Sequence, residues 1–282
     1  MFLYVCNMKK PATIGVIIST YNNPRWLEKT LWSYEAQTVI PDEIIIADDG
    51  SGEDTRILIE SFANSLPIKH VWHEDNGFRK TKILNEALRV ATADYLIFTD
   101  QDCVARPDFV ETHRRFARPG YILSGGYFKL PMDISESLAK EDIKSARAFS
   151  LDWLFGKGMK KNFKCTKLIG NRWFTVFMNF ITPTKATWNG MNSSGWRKDI
   201  LSVRGFDERM QYGGEDREMG ERMFNNGIRS KQIRYSAIVL HLDHKRPYIN
   251  AEALKRNMEI RRETKKLRRV VTEYGLPLDK EI

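Results

Sequence analysis

Asp94-Tyr95-Leu96-Ile97-Phe98-Thr99-Asp100-Gln101-Asp102 is the stretch on which the fold turns. Its apolar run is too short for a helix and reads as a buried strand, and two carboxylates follow at its end. The same grammar recurs upstream. Thr13 to Thr20 is a first strand, Asp42 to Ala47 a second that ends in Asp48-Asp49-Gly50-Ser51-Gly52, and residues 68–72 make a third. Helices fall between them. Asn23-Pro24 supplies an N-cap and a proline at the first helical position, with Leu27, Leu31 and Tyr34 at helical spacing. A second helix runs from about Asp54 to Ala63, and a third from Phe78 to Ala91 with Ile83, Leu84, Ala87 and Leu88 on its apolar side. Strand–helix repeats of this length need crossover connections, so an α/β, Rossmann-like, mostly parallel sheet with helices on both faces is expected. Ligands of such sheets sit beyond the carboxyl ends of the strands. Tyr21, Asp48-Asp49 and Asp100-Gln101-Asp102 all fall there.

Composition sets the outer bounds. The chain has 282 residues, 42% hydrophobic and 29% charged, which excludes wholesale disorder. Its length would allow two domains, but a single α/β unit fits as well. The longest apolar runs are far below the roughly 20 residues that span a bilayer. The opening Met1 to Pro11 has only a five-residue apolar run (Phe2 to Cys6) and does not read as a signal peptide. Cys6, Cys103 and Cys165 form no CxxC pair, which disfavours a disulfide scaffold or thiolate zinc site and suits a reducing cytoplasm. With 45 Lys and Arg against 36 Asp and Glu the net charge is +9, a balance that favours anionic partners.

Downstream, residues 130–150 look helical, and 152–200 hold Trp153, Trp173, Trp188 and Trp196. The first three are read as core filler, whereas Trp196 lies in a Gly/Ser/Asn-rich stretch expected to be a loop. Gly213-Gly214-Glu215-Asp216 opens a helix, and His241-Leu242-Asp243-His244 closes a strand. Positions i and i+3 of a strand face opposite ways, so His241 and His244 cannot both hold one metal unless a turn intervenes, and His241 is assigned a backbone partner. From Ala251 to about Glu273 a basic helix follows. With Lys245 and Arg246 it brings ten basic residues against Glu252, Glu259 and Glu263, and reads equally as a solvated face or an anionic-lipid dock.

Singly, each acidic group has a plain explanation: an Asx turn at Asp49, solvated acids at Asp100 and Asp102, a helix start at Glu215-Asp216. Together they suit a nucleotide–diphosphate substrate, whose phosphates call for a hard divalent cation held by carboxylates. The absence of GxGxxG after the first strand excludes a nicotinamide dehydrogenase, and a nucleotidyltransferase would need a glycine-rich, arginine-containing loop there. Acidic clusters where phosphates would have to go argue against a nucleic-acid-binding protein, which stands as the alternative beside a non-catalytic sugar-binding homologue.

Ser19-Thr20-Tyr21-Asn22, Asp48-Asp49-Gly50-Ser51, Asp100-Gln101-Asp102, Gly213-Gly214-Glu215-Asp216 and Glu218 to Arg222 make the chain resemble the family-2 inverting glycosyltransferases of GT-A fold. His241 to Arg246 is similar to the β-1,4-galactosyltransferase and chondroitin-polymerase side of that group. The resemblance covers roughly residues 12–248. It implies a single GT-A catalytic domain over 1–248, with a nucleotide-sugar half (1–105) and an acceptor half (106–248), and a basic helical tail from 249 to 282. It implies that Thr20, Tyr21 and Asp49 hold the uracil, Asp100 the ribose, and Asp102 and His244 a Mn²⁺ or Mg²⁺ ion. Lys80 or Lys82 would approach the phosphates, with Lys82 the choice. Asp216 would be the general base, ionised at neutral pH, with Glu215, Trp196 and Asn192 on the acceptor and donor sugar. The expected partners are a UDP-sugar and a saccharide acceptor, in one version lipid-linked, with an anionic membrane under the tail and no nucleic acid. The absence of membrane helices points to a cytoplasmic enzyme, at most peripheral to the inner face of the membrane, in bacterial surface polysaccharide or lipopolysaccharide synthesis.

Overall fold

Four parallel strands, β1 (Ile14–Thr20), β2 (Glu43–Asp48), β3 (Ile68–Trp72) and β4 (Tyr95–Asp100), form the first half of the main sheet in the order β3-β2-β1-β4. This is a computed structural model that describes residues 10–245 and 250–277. Cys6 and Arg246, and the start of the chain, lie outside the described residues. Every residue of β1 and β2 is buried because helices cover both faces. Ile14, Val16 and Ile18 pack with Leu27, Leu31 and Tyr34 of α1 (Pro24–Glu35). Ile17 and Ile45 turn the other way, toward Ile83, Leu84, Ala87 and Leu88. Those residues belong to α3 (Lys80–Val90); α2 (Glu53–Ser61) lies between β2 and β3 in the chain. At the N-terminus of α1, Asn23 accepts from the Trp26 amide at 3.3 Å and Pro24 opens the first turn, as read from the sequence.

Register fixes the rim. Ser19 stands opposite Asp100, and Thr20 opposite Asp48, so the acids at the ends of β2 and β4 share one edge with the end of β1. Two short strands, β5 (Cys103–Ala105) and β6 (Tyr121–Ser124), flank α4 (Phe109–Phe116) and are followed by β7 (Gly126–Lys129). The region expected to be helical breaks into α5 (Met132–Ser137), α6 (Lys140–Lys144) and a 3-10 turn, before α7 (Leu151–Gly156) and α8 (Arg172–Ile181).

The stretch expected as a loop around Trp196 is instead β8 (Ser193–Trp196), antiparallel to β4 and wholly buried. Its small residues let it sit between β4 and β6: a Cβ on Gly195 would already touch Trp188 at 3.4 Å. Beyond α9 (Arg197–Ser202) and α10 (Glu215–Asn225), β9 (Arg229–Gln232) completes the seven strands in the order β3-β2-β1-β4-β8-β6-β9. A second sheet, β5-β10-β7, carries β10 (Ile238–His241) at its centre.

The basic tail is not a free charged rod. Its helix α11 (Ala251–Lys266) packs on α10, with Arg261 and Lys265 both on Glu221, at 2.5 and 3.1 Å. Asn257 donates to the carbonyls of Gln211, Tyr212 and Gly213, and Thr264 to Glu218 at 2.8 Å. Beneath this contact Arg222 and Glu218 form a fully buried ion pair at 2.8 Å, and Arg222 also reaches the carbonyls of Val203 and Gly205. Removing one partner leaves the other charge buried alone. Arg222→Met is therefore expected to cost about 3–5 kcal/mol in urea unfolding, and Arg222→Met with Glu218→Leu much less. Among the described residues no helix is long and apolar enough to cross a membrane.

Candidate active site

A cleft of about 910 Å³ opens over the carboxyl ends of β1, β2 and β4, within the range of small-molecule sites. Its first wall comes from the strand ends. Thr20 and the Tyr21 amide both donate to the side-chain oxygen of Gln101, whose amide returns a bond to the Tyr21 carbonyl at 3.2 Å. Tyr21 is anchored outward by its hydroxyl on Asp75 at 2.9 Å. Asp49 accepts from the Arg79 amide at 2.9 Å and meets His73 Nε2 at 2.7 Å. Burial pushes its carboxyl above the ordinary range, and those two partners only partly offset this. Asp100 takes Ser19 Oγ at 2.6 Å and Lys80 Nζ at 2.7 Å on one oxygen.

The second wall is a carboxylate between two imidazoles. Asp102 Oδ2 lies 2.8 Å from His244 Nε2 and 3.6 Å from His241 Nε2, and the two rings stack 5.7 Å apart. One ligand atom from each of the three lies within 4.8 Å of the others. The backbone-partner assignment for His241 is thereby corrected. β10 ends at His241, the Leu242 amide bonds the Asp102 carbonyl at 2.8 Å, and the chain turns, so strand alternation no longer separates the two rings. Burial works against the charge of Asp102, but the hydrogen bond from His244 and the neighbouring imidazoles hold its pKa below the ordinary value. A buried carboxylate faced by two ring nitrogens fits a divalent cation, and nitrogen donors suit Mn²⁺ better than Mg²⁺.

The third wall is the start of α10. Gly213 and Gly214 take φ of +109° and +95°, conformations open to glycine, which tip the helix N-terminus into the cleft. Glu215 is therefore buried and Asp216 half-buried beside it. Glu215 accepts from the Gly213 amide at 2.7 Å, and Asp216 Oδ2 from the Gly190 amide at 3.0 Å. A Cβ on Gly190 would stand 2.6 Å from that oxygen, so only glycine lets the strand-side loop come this close. Asp216 Oδ1 is buried with no hydrogen-bond partner among the described residues. Burial and the charge of Asp216 raise Glu215 to about 7, and burial raises Asp216 as well, Lys80 pulling it back down. The expectation of an ordinarily acidic Asp216 is corrected: desolvation outweighs the helix start. Burial alone would lower Lys80, but Asp100, Asp216 and Glu215 together raise it, so it stays a cation between the two acidic walls.

The family model described as Glycosyl transferase family 2 matches residues 15–180, more than half of the chain. The chain belongs to glycosyl transferase family 2. Its fold is the GT-A fold of solved glycosyltransferase structures. Validoxylamine A glucosyltransferase of Streptomyces hygroscopicus subsp. limoneus is 30% identical over 230 residues, 76% of this chain and 48% of that protein. Hyaluronan synthase of Pasteurella multocida is 28% identical over 244 residues, 78% of this chain and 24% of that protein. The chain thus spans about half or less of the length of these curated relatives. Among solved structures, S. aureus TarS 1-349 in complex with UDP-GlcNAc superposes with a TM-score of 0.61 at 17% identity, covering 88% of this chain and 65% of that one. The mannosyltransferase PcManGT of Pyrobaculum calidifontis, in complex with GDP-Man and Mn²⁺, gives 0.56 at 18%, covering 92% and 63%.

Against this family-2 fold, the sequence candidates divide cleanly. Thr20, Tyr21, Asp49, Asp100, Asp102, Glu215, Asp216 and His244 all line the cleft. Lys82 does not; Lys80, at the first position of α3, is the lysine that points in. Trp196 is 6% exposed and packs edge-on against Tyr95 at 5.6 Å, so it is not a sugar platform. Asn192 is fully buried and outside the cleft. It bonds the carbonyls of Gly126 and Ala237, and its side-chain oxygen meets His113, whose ring burial keeps neutral with a pKa of about 3. Asn192→Ala is expected to lose about 2–4 kcal/mol of stability, read by urea unfolding, with the folded fraction binding nucleotide normally. Trp188, read as core filler, is fully buried yet also closes the cleft floor, and Trp173 is 73% exposed. Residues the sequence reading passed over are His73, Lys80 as the chosen lysine, Gln101, Gly190 and His241 as a ligand. Lys80, Gln101 and His241 stood in quoted motifs that could have exposed them; His73 and Gly190 did not.

Proposed function

We propose that the chain transfers a sugar from a UDP-sugar to a hydroxyl of a saccharide acceptor, with inversion at C1. The observation that carries this reading is Asp216, a lining residue of the cleft whose Oδ1 has no hydrogen-bond partner among the described residues, facing walls that hold Asp100–Lys80 and the Asp102–His241–His244 group. Tyr21 and Asp49 line the part of the cleft assigned to the base, and Asp100 that of the ribose. Asp102, His241 and His244 hold a divalent cation, which when bound neutralises the departing diphosphate in place of a general acid. Asp216 Oδ1 takes the proton from the acceptor hydroxyl as its oxygen attacks C1. The C1–O bond to the diphosphate breaks on the opposite face, the electron pair leaving with that oxygen, through an oxocarbenium-like transition state. Glu215 orients the acceptor, and Lys80 supplies positive charge beside the leaving group and restrains the pKa of both acids.

Relatives named hyaluronan synthase and chondroitin synthase support a saccharide acceptor, and we place the reaction in bacterial surface polysaccharide or lipopolysaccharide synthesis. Thermal unfolding with UDP, GDP, CDP and NAD, each with and without Mn²⁺, tests the donor class. A ligand at 100 times its Kd adds about 2.7 kcal/mol, a shift of a few degrees for a chain of this size. A shift confined to UDP with Mn²⁺ is expected; a larger shift with GDP would overturn the UDP assignment, and none at all the transferase reading of the cleft.

The lysine gives a test of sign. In Lys80→Met both carboxyls lose the cation that lowers them, so their pKa values rise further. Because the base acts ionised, the acidic limb of the kcat profile is expected to move to higher pH; Lys82→Met leaves it in place.

A further inference from the structure

The apolar stripe of α8 faces away from the protein. Trp173, Val176, Phe177, Phe180 and Ile181 recur at i, i+3, i+4, i+7 and i+8, the spacing of one helix face. In a helix of an ordinary globular domain that face meets the core. Here Trp173 is 73% exposed and Phe180 87%, and the other three are each about half exposed. The opposite side makes the tertiary contacts: Met178 is buried, Phe174 meets Tyr235 edge-on at 6.3 Å, and Asn179 bonds Ser236 and the Tyr235 amide. The helix is thus fastened through one side and presents its aromatic side to solvent. Contiguous exposed apolar patches of this kind mark interaction surfaces.

The charge around the patch selects the partner. From residue 153 to residue 198 the chain holds nine Lys and Arg and not one Asp or Glu. Lys160, Lys161, Lys164, Arg172 and Lys185, which precede, open and follow α8, are exposed. Phe163, between those lysines, is 72% exposed. Exposed aromatics within a stretch of uncompensated positive charge are the composition of a helix that lies in the interface of an anionic bilayer. α11, the other basic helix, lacks this: its ion pairs tie it to Glu221, and its face toward α10 is the buried one.

We propose that α8 and the lysines before it dock this protein on the surface of an anionic lipid bilayer, the aromatic stripe entering the headgroup region. The chain leaving α8 reaches Trp188 to Met191, a wall of the cleft, so docking would bring the membrane surface to within a few residues of the acceptor side. This surface is independent of the donor and mechanism proposed above.

Flotation of the full chain with vesicles tests it, using phosphatidylglycerol and phosphatidylcholine in equal parts against phosphatidylcholine alone. The full chain is expected to float with the anionic vesicles and to be released as ionic strength rises. Trp173→Ser with Phe177→Ser and Phe180→Ser is expected to lower partitioning by about 100-fold or more, since each large apolar group is worth a factor of 10 or so. Its UDP-induced thermal shift is expected to match the parent. Phe180→Ser alone, at the most exposed position, is expected to lose about 10-fold and keep the parent unfolding midpoint. Lys255→Gln with Arg262→Gln and Lys266→Gln, on α11, leaves partitioning unchanged. Absence of flotation, flotation undiminished in the triple serine variant, or loss of flotation in the α11 variant would each overturn the proposal. So would a dimer of the full chain that becomes monomeric in the serine variant without either binding vesicles.

Discussion

Asp216→Asn is expected to lower kcat about 10³-fold while leaving the affinity for nucleotide within a few fold, because the proton acceptor for the attacking hydroxyl is gone and the nucleotide walls are untouched. The same substitution is expected to stabilise the fold. Glu215, buried, and Asp216, half-buried, both have raised pKa values, so folding favours their protonated forms. Stability from such groups is fully present below the unfolded pKa and is lost as pH rises through the folded value, which for Glu215 is about 7. Removing the Asp216 charge therefore raises the Tm at pH 8 and changes it little at pH 4. It also removes the like charge beside Glu215, whose pKa falls. Calorimetry at the two pH values, with initial rates under saturating donor, gives both readouts. A stabilised protein with full activity would move the base elsewhere, to Glu215 first. Glu215→Gln, by contrast, lowers the pKa of the remaining Asp216, so the acidic limb of its kcat profile is expected at lower pH than in the parent.

Asp102→Ala produces the other large effect. The variant is expected to lose Mn²⁺ binding by calorimetric titration and, with it, the metal-dependent part of the UDP thermal shift. Two imidazoles without the carboxylate lack the anionic donor that a hard or borderline cation prefers. His241→Ala is expected to weaken Mn²⁺ by about 10- to 100-fold, the ordinary cost of disturbing a metal site's supporting shell or more. Undiminished Mn²⁺ affinity in His241→Ala would confine the site to Asp102 and His244. The parent is expected to prefer Mn²⁺ to Mg²⁺, because imidazole nitrogen donors disfavour the smaller, harder ion.

How far the site could be read in advance depends on how each residue is fixed. Tyr21, Asp49, Asp100 and Asp102 sit at strand ends, and parallel β-sheets put strand ends on one rim, so locating the strands located these four. Glu215 and Asp216 follow a Gly-Gly turn that marks a helix start. His241 could not be placed the same way: its orientation depends on where β10 stops, which is set by pairing with β5 and β7 rather than by its neighbours in sequence. Lys80 and Lys82 are two residues apart at the start of one helix. Only the packing of α3 against the sheet decides that the first enters the cleft.

The sequence by itself determined the parallel half-sheet, the capped start of α1 and the rim of acids, because burial on both faces forces continuous apolar strands and Asn23-Pro24 is its own local signal. The second half was decided in three dimensions. Ser193 to Trp196 has the composition of a loop, yet it forms β8 because β4 on one side and β6 on the other both offer it an antiparallel partner. The protonation of Glu215 and Asp216 is likewise tertiary: a helix N-terminus favours the charge, and burial, with Asp216 beside Glu215 and Asp100 near Asp216, disfavours it more. The same holds for Trp173 on α8, read as core filler until the fold is seen to hold that helix by its other side.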